Sequence, residues 1–160
     1  MTAGIDPIAA QQLVSRWWCA YDEGEFAVLD ELLHDDATFR CRTDTGTTSF
    51  EDFVRADARG REQVLRWQTQ HRLDSPYPLR HHATNFHLTQ NDGDRTRFRH
   101  YLAVTQVKDL FPVAVPAGVV TGEIRRLDDG SMKLTALEVV LDTMDSVPLR
   151  ELRDHEETNA

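Results

Sequence analysis

The feature that most constrains this 160-residue chain is a change of hydrophobic period near Leu79. Before this point apolar residues recur every three or four positions, as on one face of an α-helix. After it, long stretches of strand-like pattern alternate with turn signals such as Asn91-Asp92-Gly93-Asp94 and Asp128-Asp129-Gly130. Helices followed by antiparallel strands predict an α+β fold, in which a long curved sheet wraps around the N-terminal helices.

The helical half begins at Asp6-Pro7, where an N-cap acceptor precedes a proline at the first helical position. The first helix is predicted to run to about Tyr21. One apolar row along this helix, with four-residue spacing, consists of Ala10, Val14 and Trp18. Asp22 continues the row, so its carboxylate is expected on the face that packs against the sheet.

A second short helix is predicted over residues 26–33, followed by a strand over 37–42. A third helical region is expected to start at Ser49, to break near Gly60 and to end before His71. The strands of the second half are predicted over residues 79–90, 95–107, 113–127 and 131–143. Strands of this length suit a strongly bent sheet.

Length and composition predict one domain over residues 1–160, with a core over about 8–148 and a frayed tail over 150–160. The formal net charge of -9 would repel phosphate backbones, which makes nucleic acid an unlikely class of partner. The N-terminal residues show neither a basic segment nor an apolar run, and no membrane span is expected, so a cytoplasmic protein is predicted.

Asp22 is the first candidate for chemistry. An ionised carboxylate on a packed helix face is costly to bury unless a histidine, an arginine or backbone N–H groups bind it. A helix-terminal cap or a solvated acid would explain the same position without any function. The helical spacing leaves both interpretations open.

The second candidate is the histidine-rich stretch over residues 80–87. Strand alternation places His81, Ala83, Asn85 and His87 on one face, and His82, Thr84 and Phe86 on the other. Neither face is plainly apolar, so periodicity does not decide whether His81 or His82 faces a pocket. Surface or interface histidines are an equally good explanation of the pattern.

No metal or cofactor is predicted. His81, His87 and His100 have no Glu or Cys at a recognised metal-motif spacing. The chain also shows no phosphate-binding glycine loop, no nucleophile elbow and no dinucleotide fingerprint. Cys19 and Cys41 are expected to be reduced and structural. These observations are compatible with catalysis without a cofactor, or with ligand binding alone.

The order of elements, together with Tyr21-Asp22 at the end of the first helix and His-His-Ala-Thr-Asn at residues 81–85, resembles the SnoaL-like branch of the nuclear transport factor 2-like superfamily. Within this branch the pattern is most similar to scytalone dehydratase, hexachlorocyclohexane dehydrochlorinase and bile acid 7α-dehydratase. These enzymes are cofactor-free lyases built around an Asp/His dyad. The second histidine of the scytalone dehydratase pattern would fall near Gln106, and the dehydrochlorinase lysine has no counterpart.

The resemblance implies that Asp22, His81 and Tyr21 are catalytic, and that Asn85, His100 and Trp18 bind the substrate. It implies a cofactor-independent dehydratase, isomerase or cyclase that acts on a small hydrophobic ring compound. Separately, the sheet face that few helices cover predicts a homo-oligomer, either a dimer or a trimer. In such a site neutral His81 would abstract a proton while Asp22 fixes its tautomer.

Two other functions are compatible with the sequence. The chain also resembles the β subunit of aromatic-ring-hydroxylating dioxygenases, in the Arg-His-x-x-x-Asn stretch at residues 80–85 and in the strand end Val139-Val140-Leu141-Asp142. That subunit is structural rather than catalytic. A small-molecule-binding protein without catalysis is the second alternative, because one fold serves all three roles.

Overall fold

The computed structural model describes residues 4–152 and contains helices followed by a curved, unclosed sheet. The helices are α1 (Pro7–Glu23), α2 (Phe26–Leu32), α3 (Glu51–Val54) and α4 (Arg61–Asp74). The strands are β1 (Leu33–Thr43), β2 (Ala56–Arg59), β3 (Leu79–Asp92), β4 (Arg95–Lys108), β5 (Phe111–Arg126) and β6 (Met132–Leu141). The predicted α+β architecture is confirmed.

The six strands lie in the order β2-β1-β6-β5-β4-β3. Strands β3 to β6 form the predicted antiparallel meander, whereas β1 pairs with β6 in parallel. A parallel pair needs a long connection, and the chain between Thr43 and Met132 supplies one that contains two helices and four strands. The sheet is therefore antiparallel except at this one pair.

The largest difference from the sequence-based expectation lies between β1 and β3. A single helical region was predicted there, but α3 has only four residues and is followed by β2, which pairs with Thr38–Cys41 of β1. Ala56 and Ala58 are buried in this short strand, whose alanines and charged residues carry little β propensity. Helix α4 then starts after Gly60 and continues through His71 to Asp74.

Helix α1 contributes much of the core. Its buried residues include the predicted row Ala10, Val14 and Trp18, and Asp22 at the end of this row is 5% exposed. The core continues on the sheet through residues such as Phe98, Val120, Ile124 and Leu137. At Gly122 a Cβ atom would lie 2.4 Å from the ring of Phe98, so glycine lets these strands approach.

The C-terminal part ends in a helical turn over residues 149–152. The frayed tail was predicted over 150–160, and residues 153–160 of it lie outside the described part of the chain. None of the helices within residues 4–152 is long and apolar enough to cross a lipid bilayer.

Candidate active site

A cavity of about 300 Å³ lies between helices α1, α3 and α4 and one face of the sheet. Its apolar walls include Trp18, Phe39, Phe53, Trp67, Leu102 and Val139. Polar side chains line it at few places, among them Tyr21, Gln68, His71 and His81. A cavity of this size and character suits a small hydrophobic molecule with a few polar groups.

Asp22 and His81 meet at the end of α1, beside this cavity. The Nδ1 atom of His81 lies 2.6 Å from Oδ1 of Asp22, and the backbone N–H of His81 donates to Oδ2 at 2.9 Å. An ionised carboxylate only accepts, so Nδ1 carries the ring proton and Nε2 keeps its lone pair. The contact thus fixes the histidine tautomer in which Nε2 can act as a base.

Two aromatic side chains of α1 fix the plane of the His81 ring. Trp18 stacks on it with ring centroids 4.8 Å apart and planes 5° apart, and Tyr21 meets it edge-on at 5.1 Å. Trp18 and Tyr21 both line the cavity. The imidazole is therefore held by packing as well as by the carboxylate.

Arg72 of α4 holds the backbone at the end of α1. Its Nε and Nη2 atoms donate to the carbonyl oxygen of Asp22 at 3.0 and 2.8 Å, and its Nη1 donates to the carbonyls of Ser75 and Pro76. The carbonyl end of a helix is partly negative and does not favour a carboxylate. The buried guanidinium opposes this charge, and it satisfies carbonyls that the helix leaves free.

The regular alternation of side chains between the two faces of strand β3 is interrupted at Asn85. Leu79 and His81 face the cavity, whereas His82 is exposed and its Nε2 lies 3.0 Å from the hydroxyl of Thr105. At Asn85 the backbone has φ 56°, and the β3–β4 register shifts between Thr84 and His87. Because of this bulge Asn85 is exposed and does not line the cavity, contrary to simple alternation.

His100 also lies outside the cavity lining, behind Trp18. It is fully buried, its Nδ1 lies 2.9 Å from the carbonyl of Tyr101, and its Nε2 accepts from the indole N–H of Trp18 at 3.4 Å. Burial lowers the pKa of His100, so the ring stays neutral. Its contacts position Trp18, which in turn stacks on His81. Contrary to the expectation for a substrate-binding residue, His100 does not line the cavity, whereas Trp18 does.

A second histidine lines the cavity from α4. The Nδ1 atom of His71 lies 2.5 Å from the hydroxyl of Tyr21, and its ring stacks on Trp67 with centroids 4.5 Å apart. Burial, followed by the nearby charge of His81, lowers the pKa of His71 to about 4. Burial likewise raises the pKa of the Tyr21 phenol. Both groups are therefore neutral near pH 7.

The cavity thus combines one imidazole that can act as a base, that of His81, with the neutral hydrogen-bonding groups of Tyr21 and His71 and with apolar walls. Within residues 4–152, no cluster of three His, Cys, Asp or Glu side chains has an arrangement that would hold a metal ion. The arrangement suits proton transfer to and from a small molecule that is shielded from water.

A sequence profile described as the SnoaL-like domain matches residues 6–137 of the chain. The chain belongs to the SnoaL-like domain family. This family is the one that the Tyr-Asp and histidine-rich segments of the SnoaL-like chain indicate. The matched region includes α1, β3 and most of the residues that line the cavity, with Val139 and Leu141 outside it.

Solved structures show the same fold for this SnoaL-like chain. A protein named as an aromatic-ring-hydroxylating dioxygenase β subunit, from Novosphingobium aromaticivorans, has 15% identity and a TM-score of 0.69, covering 89% of this chain and 93% of its own. LinA has 19% identity and a TM-score of 0.67, covering 88% and 92%. A Catenulispora acidiphila protein in complex with S-DNPA has 23% identity and a TM-score of 0.65, covering 82% and 90%.

No curated protein gives a significant sequence match to this SnoaL-like chain. The fold neighbours include proteins described as having a cystatin-like fold, which agrees with the predicted curved sheet around N-terminal helices. At these identities the likeness establishes the fold alone.

Of the residues predicted for the site, the SnoaL-like chain brings Asp22, His81, Tyr21 and Trp18 together and leaves Asn85 and His100 outside the cavity lining. Sequence analysis missed two further polar residues, Gln68 and His71. It ended the third helix before His71, and no motif singled out Gln68. Their three-residue spacing is a helical signal that would have placed them on one face.

Proposed function

We propose that this SnoaL-like chain is a cofactor-independent acid/base enzyme that removes a proton from a small hydrophobic ring compound. Its reaction would be a dehydration, an isomerisation or a cyclisation. The observation that carries the proposal is the 2.6 Å contact between Asp22 and His81 at the edge of an apolar cavity. The resemblance of Tyr21, Asp22 and His81 to the residues of cofactor-free lyases supports the same chemistry.

In the proposed reaction Nε2 of His81 takes a proton from a carbon atom of the substrate. Nδ1 remains bonded to Asp22, whose negative charge stabilises the imidazolium that forms. The electron pair released from the C–H bond moves into an adjacent carbonyl or expels a leaving group. Such positioned proton transfer contributes a factor of about 10² to 10⁴ to the rate.

Asp22 would orient the base and not exchange protons itself. Its second oxygen is occupied by the backbone N–H of His81, so the carboxylate cannot rotate without breaking two hydrogen bonds. An asparagine at this position would remove the charge and could present its NH₂ group to Nδ1. That exchange would favour the tautomer in which Nε2 carries the proton and is no longer a base.

The apolar walls determine the class of substrate. Trp18, Phe39 and Trp67 offer flat surfaces to a ring compound, and the cavity of about 300 Å³ limits it to a few fused rings. Exclusion of water strengthens the attraction between the imidazolium and Asp22. The S-DNPA complex of the Catenulispora acidiphila protein supports a ligand-binding role for this fold.

The proposal can be tested with 1-tetralone, a two-ring ketone whose C2 protons are acidic enough to exchange. The wild-type chain is incubated with the ketone in D₂O, and loss of the C2 proton signal is followed by NMR. We expect exchange faster than in buffer, and slower by about 10² or more in His81→Ala. Exchange at the buffer rate with the wild-type protein would contradict the proposal.

A non-catalytic dioxygenase β subunit and a binding protein remain the competing functions. The fold neighbour from Novosphingobium aromaticivorans supports the first only at the level of fold. Co-purification of the native chain with an iron–sulfur large subunit would favour that function. Tight binding of 1-tetralone with no proton exchange would favour the second.

A further inference from the structure

Two buried side-chain nitrogen atoms of α4 have no hydrogen-bond partner among the described residues. They are Nε2 of Gln68 and Nε2 of His71, and both side chains belong to the cavity lining. The two residues are three positions apart in the helix, so they lie on one face of α4. Gln68 is only 2% exposed.

Burying an N–H group without a hydrogen-bond acceptor is energetically unfavourable. Most buried N–H groups in proteins have a partner, and one left without a partner destabilises the folded state. Because both belong to residues that line one cavity, a ligand bound there is a candidate source of the missing acceptor. The Gln68 amide can rotate to offer its NH₂ group to a ligand.

Tyr21 determines what His71 offers to a ligand. The phenol stays protonated and its hydroxyl lies 2.5 Å from Nδ1 of His71, so the hydroxyl can donate to Nδ1. A neutral imidazole that accepts at Nδ1 carries its proton at Nε2. In this arrangement His71 presents a neutral N–H donor rather than a second base.

We propose that Gln68 and His71 form a donor pair that binds an acceptor oxygen of the ligand, and that the ligand is therefore an apolar ring compound with a carbonyl group. This inference rests on the proposed function and names its substrate class. Tyr21 contacts both ends of the site, with its hydroxyl on His71 and its ring 5.1 Å from that of His81. One carbonyl compound can thus span from the donor pair to the base.

The chemistry follows from this placement. His81 takes a proton from the carbon next to the carbonyl, the C–H electron pair forms the new C=C bond, and the carbonyl π pair moves onto oxygen. The donor pair then holds the enolate oxygen, which is more basic than the ketone and binds N–H donors more strongly. Return of the proton to a different carbon would isomerise the ring, and loss of a hydroxyl would dehydrate it.

The test compares two probes that differ only in the carbonyl, 1-tetralone and tetralin. Their dissociation constants are measured from the quenching of tryptophan fluorescence, in the wild type and in Gln68→Met and His71→Phe. We expect the wild type to prefer the ketone by at least about fivefold, and each variant to lose about two- to tenfold of that preference. Gln70→Met, an exposed change on the same helix, is the matched control.

A spectroscopic readout separates direct binding from a structural effect. The C=O stretch of bound 1-tetralone should lie at lower frequency in the wild type than in either variant. ¹⁵N NMR of histidine should show His71 protonated at Nε2, and Tyr21→Phe should reduce the population of this tautomer. Equal affinity for the two probes, a preference unchanged in both variants, or a wild-type His71 protonated at Nδ1 would overturn the inference.

Failure of the donor pair is distinguishable from failure of the proposed function. A wild type that prefers the ketone through Gln68 and His71 but does not exchange its C2 protons would refute the base role of His81 and support the donor pair. Accelerated exchange that depends on His81, with no preference for the ketone, would refute the donor pair and support the base.

Discussion

At the end of the cavity formed by Asp22 and His81, both carboxylate oxygens already accept hydrogen bonds. At the end formed by Gln68 and His71, two buried nitrogen atoms have no hydrogen-bond partner within residues 4–152. The first end is complete without a ligand. A ligand oxygen would complete the second. On the proposed function, the first end carries the base and the second selects the substrate.

The two histidines differ for the same physical reason. His81 touches a carboxylate, which stabilises the imidazolium formed by proton transfer. His71 touches a neutral phenol and is buried among aromatic rings, and its pKa falls to about 4. A charged partner favours a base, and an uncharged, buried site favours a neutral donor.

The largest expected effect is on the proton-exchange rate, when His81 is removed from the end of the cavity that it forms with Asp22. His81→Ala should slow C2-proton exchange of 1-tetralone by about 10² or more, because no other described base replaces Nε2. His82→Ala is the matched control, since the neighbouring ring is exposed on the other side of β3. NMR exchange rates and melting temperatures of both variants give the result. A large loss in His82→Ala with a normal rate in His81→Ala would reverse the assignment.

A smaller effect is expected in the pH dependence of stability at the other end. The folded pKa of His71 is about 4, below its ordinary value, so the unfolded chain binds more protons as the pH falls. The stability from burying neutral His71 is fully present above about pH 6.5 and is lost as the pH falls towards 4. Relative to His71→Phe, the wild type should lose roughly 1–3 kcal/mol over this range.

Urea unfolding of the two proteins at several pH values measures this difference. The comparison with His71→Phe removes the contribution of His100, whose pKa burial also lowers and which is common to both proteins. Parallel stability curves across the range would show that His71 is not held neutral by the fold.

The smallest effect is expected at Asn85, the residue that alternation places on the same face as His81. Its φ of 56° suits glycine, so Asn85→Gly should change the free energy of unfolding by less than about 0.5 kcal/mol and leave proton exchange unchanged. Denaturant unfolding and the exchange assay check both values. A tenfold fall in exchange with unchanged stability would return Asn85 to the substrate-binding role.

Much of the fold could be predicted from the sequence, because α1 and the meander have strong periodic patterns. The four-residue spacing of Ala10, Val14 and Trp18 placed Asp22 on the packed face, where the structure has it. Turn residues around Gly93 and Gly130 similarly set the hairpin positions. The parallel pairing of β1 with β6 joins distant segments and has no local signal.

The site was less accessible to sequence analysis. The choice between His81 and His82 depends on which face of β3 packs on α1, and that is a tertiary contact. The bulge at Asn85 needs a positive φ, which asparagine tolerates. No sequence pattern indicates where this backbone conformation occurs. His71 was missed because the residues of α4 are mostly polar, so no apolar period showed that the helix continues past this residue. Pro76, five residues later, was a sequence signal for a later helix end.

The most direct test of the account is a double-mutant cycle on Asp22 and His81, measured as C2-proton exchange of 1-tetralone. Asp22→Asn and His81→Ala should each lower the rate by about 10² or more, and the double variant should be within about threefold of the slower single variant. That result would show that the two side chains act as one unit. Effects that multiply in the double variant, or folded single variants that exchange at the wild-type rate, would contradict the account.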